Sequence, residues 1–289
     1  MIALSVAMAA YAVNDTCVKL VARSLPVGET IFLRGILSVL MLAAAVVMAR
    51  AWPKVALSCR APVLWRGLFD ALATVCFVVA LVHMNMAELS AVVLISPLII
   101  TALAAILFGD PVGWRRWCAI GTGLAGALMI VRPNPHVVDV WALIAVAAAV
   151  FSAARDLITR RIHPAIPTLV VSLYGALAVM LSGAALGVAE SWRLPDALQW
   201  LGIVVSAIFL GFGSYLAVLG FRDVDIAVVA PFRYTLLLWM GLSAYFVFGE
   251  LPDRWSIAGA LLIAAGGLYA LHREAMRRRE LAARALPPA

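Results

Sequence analysis

Apolar runs of about 17–22 residues succeed one another along this chain with only a few residues between them. Each is long enough, at 1.5 Å per residue, to cross the roughly 30 Å hydrocarbon core of a bilayer as a helix. Inside lipid every backbone amide must be paired within the protein, which leaves helices or closed barrels. Barrel strands are shorter and alternate in polarity, so these uniformly apolar runs read as helices. Composition agrees: of 289 residues, 65% are hydrophobic and 13% charged, and the mean hydropathy is +1.05. A soluble domain carries about 25% charged residues. The expected fold is an all-α membrane protein with about ten crossings, at residues 2–22, 28–49, 61–82, 87–108, 115–131, 138–158, 167–188, 196–219, 225–248 and 256–272. The connections are short and marked by Pro, Gly or a charge, and none has room for a soluble domain. No charged segment precedes the first run and no small-residue cleavage pattern follows it, so it is expected to stay as a helix.

The chain is also written twice. Ala87 to Arg132 returns as Ala227 to His272 at an offset of 140 residues, with Phe108-Gly109-Asp110 answered by Phe248-Gly249-Glu250 and Gly126 by Gly266. Upstream the offset grows by one, so that Asp15 and Lys19 correspond to Asp156 and Arg160. A period this long means two halves of one body rather than a solenoid. The expected division is residues 1–133, residues 134–273 and a basic tail at 274–289. Five crossings per half is an odd number, so the second half is expected to enter the membrane from the opposite side. Two such inverted halves rocking about a central site are a known route to alternating access.

Basic residues set the expected orientation. With the N-terminus inside, cytoplasmic segments hold fifteen of the 22 Lys and Arg residues and the outer loops five; Arg34 and Arg233 lie within crossings. Both termini are therefore placed in the cytoplasm, with the protein in the inner (plasma) membrane. The net charge of +7 calls for anionic lipid headgroups at that surface, not for a nucleic acid partner. The Arg277–Arg279 run reads as an interfacial anchor.

Polar residues inside the crossings are the candidates for function. Asp15 and Lys19 end the first crossing, and Asp156 and Arg160 end the sixth. Each acid stands one turn before a base, the favourable helical order. These four are candidate gate residues at opposite faces; the plain alternative is end-charges that set helix register. Asn14 lies beside Asp15. Asp70 lies deep in the third crossing with Thr74 and Phe77 on its face, either lining a pathway or paired with Arg34 or Arg66. Arg233, next to Tyr234 in the ninth crossing, is a candidate to hold a carboxylate; the alternative is pairing with a neighbouring helix. Pro97 and Pro231 interrupt the fourth and ninth crossings as candidate hinges, and Pro97 deprives the Val93 carbonyl of its helical partner. Tyr11, Phe77, Phe151, Phe212, Tyr215, Tyr234 and Trp239 suit a greasy cavity with few polar anchors.

Other chemistries are not supported. Gly121-Thr122-Gly123-Leu124-Ala125-Gly126 has the glycine spacing of a dinucleotide loop, but it lies in an apolar run with no strand before it. Small residues there allow close helix approach instead, making the fifth and tenth crossings a scaffold and a candidate contact for a weak homodimer, if the chain is not a monomer. The four Cys and four His residues have no metal-ligand spacing, so no metal or other cofactor is expected. No nucleophile elbow or nucleotide-binding loop occurs, so no enzyme or ATPase is expected.

Two inverted five-helix halves, with F-G-D-P at 108–111 and F-G-E-L-P at 248–252 before glycine-rich helices and A-P-F-R-Y at 230–234, resemble the EamA family of the drug/metabolite transporter superfamily. The resemblance covers essentially the whole chain. It implies a basket whose third, fourth, eighth and ninth helices bracket a cavity closed partly by the first and sixth. Asn14, Asp15, Asp70, Thr74, Phe77, Phe212, Tyr215 and Tyr234 would then lie near the pathway. Amino-acid exporters of this group are similar in layout, although Ser96 stands where an exporter of aromatic amino acids is expected to carry an aromatic residue. The expected function is export of amino acids or similar small metabolites, with Asp15 or Asp70 meeting an ammonium and Arg233 a carboxylate. The alternative in the same class is an exporter of drugs, nucleotide derivatives or other metabolites; a nucleotide carrier would need several basic residues in its cavity, where only Arg34 and Arg233 qualify. A lipid-modifying intramembrane enzyme would need acids or histidines clustered at one depth.

Overall fold

The computed structural model describes residues 2–96, 98–99, 102–103, 106, 114–131, 140–159, 162–163, 165–221 and 235–285. Among these residues the secondary structure is helical throughout: α1 (Ile2–Ala22), α2 (Val27–Met48), a single turn α3 (Lys54–Leu57), α4 (Ala61–His83), α5 (Met86–Val93), α6 (Trp114–Val131), α7 (Val140–Thr159), α8 (Thr168–Gly187), α9 (Ala197–Phe221), α10 (Thr235–Phe248) and α11 (Arg254–Ala285). The bounds of α1, α2, α4 and α6–α9 coincide with the apolar runs to within two residues. Four of them, α2, α4, α7 and α8, are long and apolar enough to cross a membrane on length and composition alone. Large apolar side chains stand on the outside of the bundle, among them Met48, Leu181, Leu198 and Phe246. A water-facing surface does not carry apolar area on this scale.

The last helix extends beyond its apolar run. Helix α11 runs unbroken to Ala285, because the residues after His272 are strong helix formers with no Gly or Pro before Pro287. The fourth run is interrupted where proline predicts. Helix α5 ends at Val93, and the Ser96 hydroxyl donates to the Val93 carbonyl at 2.7 Å and lies 3.2 Å from the Ala149 carbonyl. The acceptor orphaned by Pro97 is thereby satisfied by its neighbour. Pro97 and Pro231 themselves lie outside the described residues.

Helix starts follow local chemistry. Asn85 caps α5, its side chain accepting from the Ala87 amide at 2.9 Å, as a short polar side chain does at a helix N-terminus. Pro26 and Pro167 precede α2 and α8 in extended conformation (ψ 146° and 135°), at positions 141 apart, the offset already seen at Asp15.

Packing pairs helices across the two halves. Helix α2 packs on α8 and α6 on α11; α1 packs on α9 as α4 does on α7; α4 meets α8 as α2 meets α9; and α1 meets α10 as α5 meets α7. Exchanging the halves maps each of these pairings onto itself or onto another in the set. Glycines permit the closest crossings. A methyl group built on Gly259 would sit 2.5 Å from the Gly126 carbonyl oxygen, and one on Gly126 would sit 2.6 Å from that of Gly259. The glycines of the fifth and tenth crossings are thus used against each other within one chain. A similar contact joins α2 to α8, where a methyl on Gly183 would lie 2.6 Å from the Phe32 amide nitrogen. The principal core, with Ile31, Leu81, Met86, Leu89, Met240 and Ile263 fully buried, joins α2, α4, α5, α10 and α11.

Candidate functional site

At one end of the bundle the first helix is latched to the second half. The Lys19 ammonium, 1% exposed, donates to both Glu250 carboxylate oxygens at 2.7 and 2.9 Å and to the Met84 carbonyl at 2.8 Å. Arg23 reaches the same carboxylate at 3.3 Å, and the Met86 amide donates to it at 3.2 Å. The Phe248 ring lies under both cations, 4.9 Å from Lys19 and 4.6 Å from Arg23. Gly249 sets this up. Its φ of +64° is a left-handed turn that favours glycine, and the Glu250 amide then closes onto the Ala244 carbonyl at 2.9 Å, a helix-ending motif. The three residues of the Phe-Gly-Glu signature therefore divide the work as ring, turn and counter-ion. Beside the latch, the Ser256 hydroxyl meets Glu88 at 2.7 Å. On the same end, Glu190 accepts from the Gly28 amide at 2.9 Å, the favourable place for an acid at a helix N-terminus.

One turn deeper lies a second group. The buried Arg34 guanidinium donates to the Asn14 carbonyl oxygen at 3.3 Å, and the Asn14 amide donates to Asp15 at 2.8 Å. Arg34 acts electrostatically on both Asp15 and Asp70. Among the described residues Asp15 accepts a single side-chain hydrogen bond, and no cation stands within ion-pair distance of it. A carboxylate has room for about four.

Toward the other end the charges are fully paired. Arg155 bridges Asp70 at 3.0 Å and Asp156 at 2.9 Å. Arg66 adds a longer contact to Asp70 at 3.4 Å and donates to the Thr159 hydroxyl at 3.2 Å. Gly175 of α8 makes space, since a methyl there would lie 2.6 Å from Arg66 and 2.7 Å from Asp70. Taken with Arg34, these two deeper groups bring together, among the described residues, three acids (Asp15, Asp70, Asp156) and three arginines (Arg34, Arg66, Arg155). An unpaired charge in hydrocarbon costs several kcal/mol, about 2.5–3.5 kcal/mol even on insertion scales, and this balance removes most of that cost. Asp15 is the member left short of partners.

Family-level comparison matches residues 1–132 and 139–271 to the EamA-like transporter family. The chain belongs to this family. Among curated relatives, it is 24% identical over 178 residues to the S-adenosylmethionine uptake transporter of Rickettsia prowazekii (strain Madrid E), covering 62% of this chain and 60% of that protein. The match thus spans less than two thirds of that relative's length. It is 26% identical over 266 residues to the pseudopaline exporter CntI of Pseudomonas aeruginosa (strain UCBPP-PA14), covering 88% and 89%. It is 28% identical over 221 residues to a riboflavin transporter of Rhizobium johnstonii, covering 75% and 72%. A crystal structure superposes with a TM-score of 0.66 over 94% of this chain and 98% of that one at 21% identity, a likeness of fold alone. The relatives named here are transporters of small molecules.

The geometry redistributes the residues singled out in the sequence. Asn14, Asp15 and Asp70 do converge on the interior. The helical pair Asp15–Lys19 does not form: Lys19 turns outward to Glu250, which offers two oxygens, while Asp15 turns to Asn14. Of the two candidate partners for Asp70, Arg66 is taken and is joined by Arg155; Arg34 donates to Asn14 instead. Asp156 is held by Arg155. Thr74 and Phe77 are partly buried on α4, Phe77 against the main core. Phe212 is 47% exposed. The Tyr215 side chain, Arg160, Arg233 and Tyr234 lie outside the described residues. Glu250, Arg155 and Gly175 went unassigned in the sequence reading, and Arg34 was offered to Asp70 rather than to Asn14. The repeat pointed to Glu250, but the register of its partner is set by the fold. Trp239 gains weight: its indole nitrogen is buried and meets no acceptor among the described residues.

Proposed function

We propose that this protein is a secondary transporter exporting amino acids or related small metabolites across the inner membrane by alternating access. The observation that carries the proposal is Asp15, an under-satisfied carboxylate one turn beneath a closed latch, facing Arg34 across Asn14. A zwitterion needs both signs at one depth. Asp15 meets its ammonium, and Arg34 or Arg233 its carboxylate. The Trp239 indole supplies a neutral donor, and Thr74, Phe77, Phe212, Tyr215 and Tyr234 line the path. The matched sets of helix pairings support two inverted halves, 1–133 and 134–273, each of five crossings. The distribution of basic residues favours the Lys19–Glu250 latch at the outer face and both termini in the cytoplasm. The repeat puts Asp110 in the register of Glu250 and Arg160 in that of Lys19. An equivalent latch, with Asp156 beside it, then closes the cytoplasmic face in the alternate state, and Pro97 and Pro231 serve as hinges. Export is favoured by the exporter matched over 88% of the chain. An amino-acid head is also part of S-adenosylmethionine, the substrate named for another relative.

The test is uptake of a labelled amino-acid panel, S-adenosylmethionine and riboflavin into proteoliposomes, with and without a pH gradient. Saturable accumulation of at least one α-amino acid or its derivative, lost in Asp15→Asn, is expected. Transport of riboflavin alone, undisturbed by Asp15→Asn, overturns the amino-acid assignment.

A further inference from the structure

A cavity of about 380 Å³ opens at the end of the bundle opposite the latch, lined by Lys54, Ser58, Arg60, His163, Ala165 and Ile166. It lies between the α2–α4 connection and the α7–α8 connection, far in sequence and joined only by the fold. Among the described residues its lining holds two cations and one imidazole but no acid. Lys54 and Arg60 are exposed and make no ion pair with any described residue. The His163 Nδ1 lies 3.2 Å from the Ala165 amide, which donates to it; Nε2 is then the ring nitrogen that carries a proton and can donate.

The walls are held in place. Tyr174 of α8 donates its hydroxyl to the Val55 carbonyl at 2.9 Å. Val46, Ala51, Val170 and Leu173 form a small buried cluster behind the turn. The Ser58 hydroxyl donates to the Lys54 carbonyl at 2.7 Å, leaving its lone pairs free to accept. Trp52 and Trp65 flank the connection, both more than half exposed, as indoles are at the headgroup level of a bilayer. The cavity therefore sits where lipid phosphates lie, and basic pockets between helices at this level take acidic headgroups.

We infer that this cavity is a binding site for the phosphate headgroup of an anionic phospholipid, with Lys54 and Arg60 as its charge-bearing ligands and His163 as a neutral donor. The site requires a membrane-embedded chain but not the transport reading, so the two stand or fall separately. Purified full-length protein in neutral detergent is titrated with phosphatidylglycerol or phosphatidylcholine, following the unfolding temperature and the rate at which native Cys59, exposed between Ser58 and Arg60, reacts with a maleimide. Phosphatidylglycerol is expected to raise the unfolding temperature and slow Cys59 labelling several-fold, and phosphatidylcholine to do neither. In Lys54→Gln/Arg60→Gln the half-saturating phosphatidylglycerol rises on the order of tenfold. In Arg277→Gln/Arg278→Gln/Arg279→Gln, basic but distant in sequence, it stays within about twofold. The inference is overturned by equal protection from phosphatidylcholine or by an unchanged titration in the double variant. It is also overturned if inorganic phosphate or glycerol 3-phosphate alone reproduces the effect, which would make the ligand a soluble anion. The Cys59 reading uses the wild-type chain, so a double variant that misfolds does not remove the test.

Discussion

Lys19 is the residue on which the proposed latch depends. A buried ammonium that loses its counter-ion costs about 3–5 kcal/mol, whereas replacing both partners with apolar groups is often neutral. Glu250→Gln is therefore expected to open the latched face or lower the unfolding temperature, while Lys19→Met/Glu250→Leu should restore stability but leave the face shut. Labelling of a cysteine placed at Asn14 from the latched side distinguishes these outcomes; equal behaviour of the single and double variants would refute the latch. Trp239 makes the opposite trade. An unsatisfied buried donor costs about 1–3 kcal/mol, so Trp239→Phe is expected to stabilise the protein by up to that amount in a melting experiment. Substrate affinity should fall in the same variant if the indole serves the pathway. Of these residues, the acids were legible in the sequence because a charge in an apolar run announces itself. Their partners were legible only in part, since Arg66 was offered to Asp70 but Arg155 was not. Local spacing offered Lys19 to Asp15 one turn away, but Glu250, 231 residues further on, presents a bidentate carboxylate that only tertiary packing brings near.

Among the elements, the turn from α10 to α11 shows how a short motif acquires meaning. The sequence showed that Phe-Gly-acid occurs twice; the structure shows that the glycine aims the acid. Gly249→Ala is expected to cost about 1–2 kcal/mol for the left-handed conformation and to shift Glu250 away from Lys19, mimicking Glu250→Gln in the labelling assay. Where α6 crosses α11, Gly126→Val or Gly259→Val forces the helices apart against backbone. Each should destabilise the protein by about 1–3 kcal/mol, measured as a fall in unfolding temperature. Helix bounds were readable because hydrophobic length is dictated by the bilayer. The continuation of α11 past the apolar run was not, since helix propensity there acts without a hydrophobic signal. The turn α3 was equally silent: its four residues are too few for any period, and it is held by Tyr174 from another helix.

At the scale of the molecule, side-chain contacts sort the connections into two ends. Ser24, Glu29, Glu190, Arg193 and Gln199 meet at one end through the Gln199–Ser24 bond of 2.9 Å and the acceptance of the Arg193 amide by Glu29 at 3.1 Å. Lys54, Arg60 and His163 meet at the other. A membrane-impermeant maleimide applied to intact cells is expected to label Asp196→Cys and to spare Ala289→Cys until the membrane is opened; the reverse pattern would invert the proposed orientation. Duplication was plain from the sequence, whereas the exchange of partners between the halves was not, because a repeat gives correspondence and says nothing of contact. That exchange has a cost in assembly. Since α1 beds against α9 and α4 against α7, the first five helices emerge during synthesis with their main docking faces still vacant. Neither half is a finished object by itself, so severing the chain between α6 and α7 should yield a working carrier only when both fragments are made together in the same membrane.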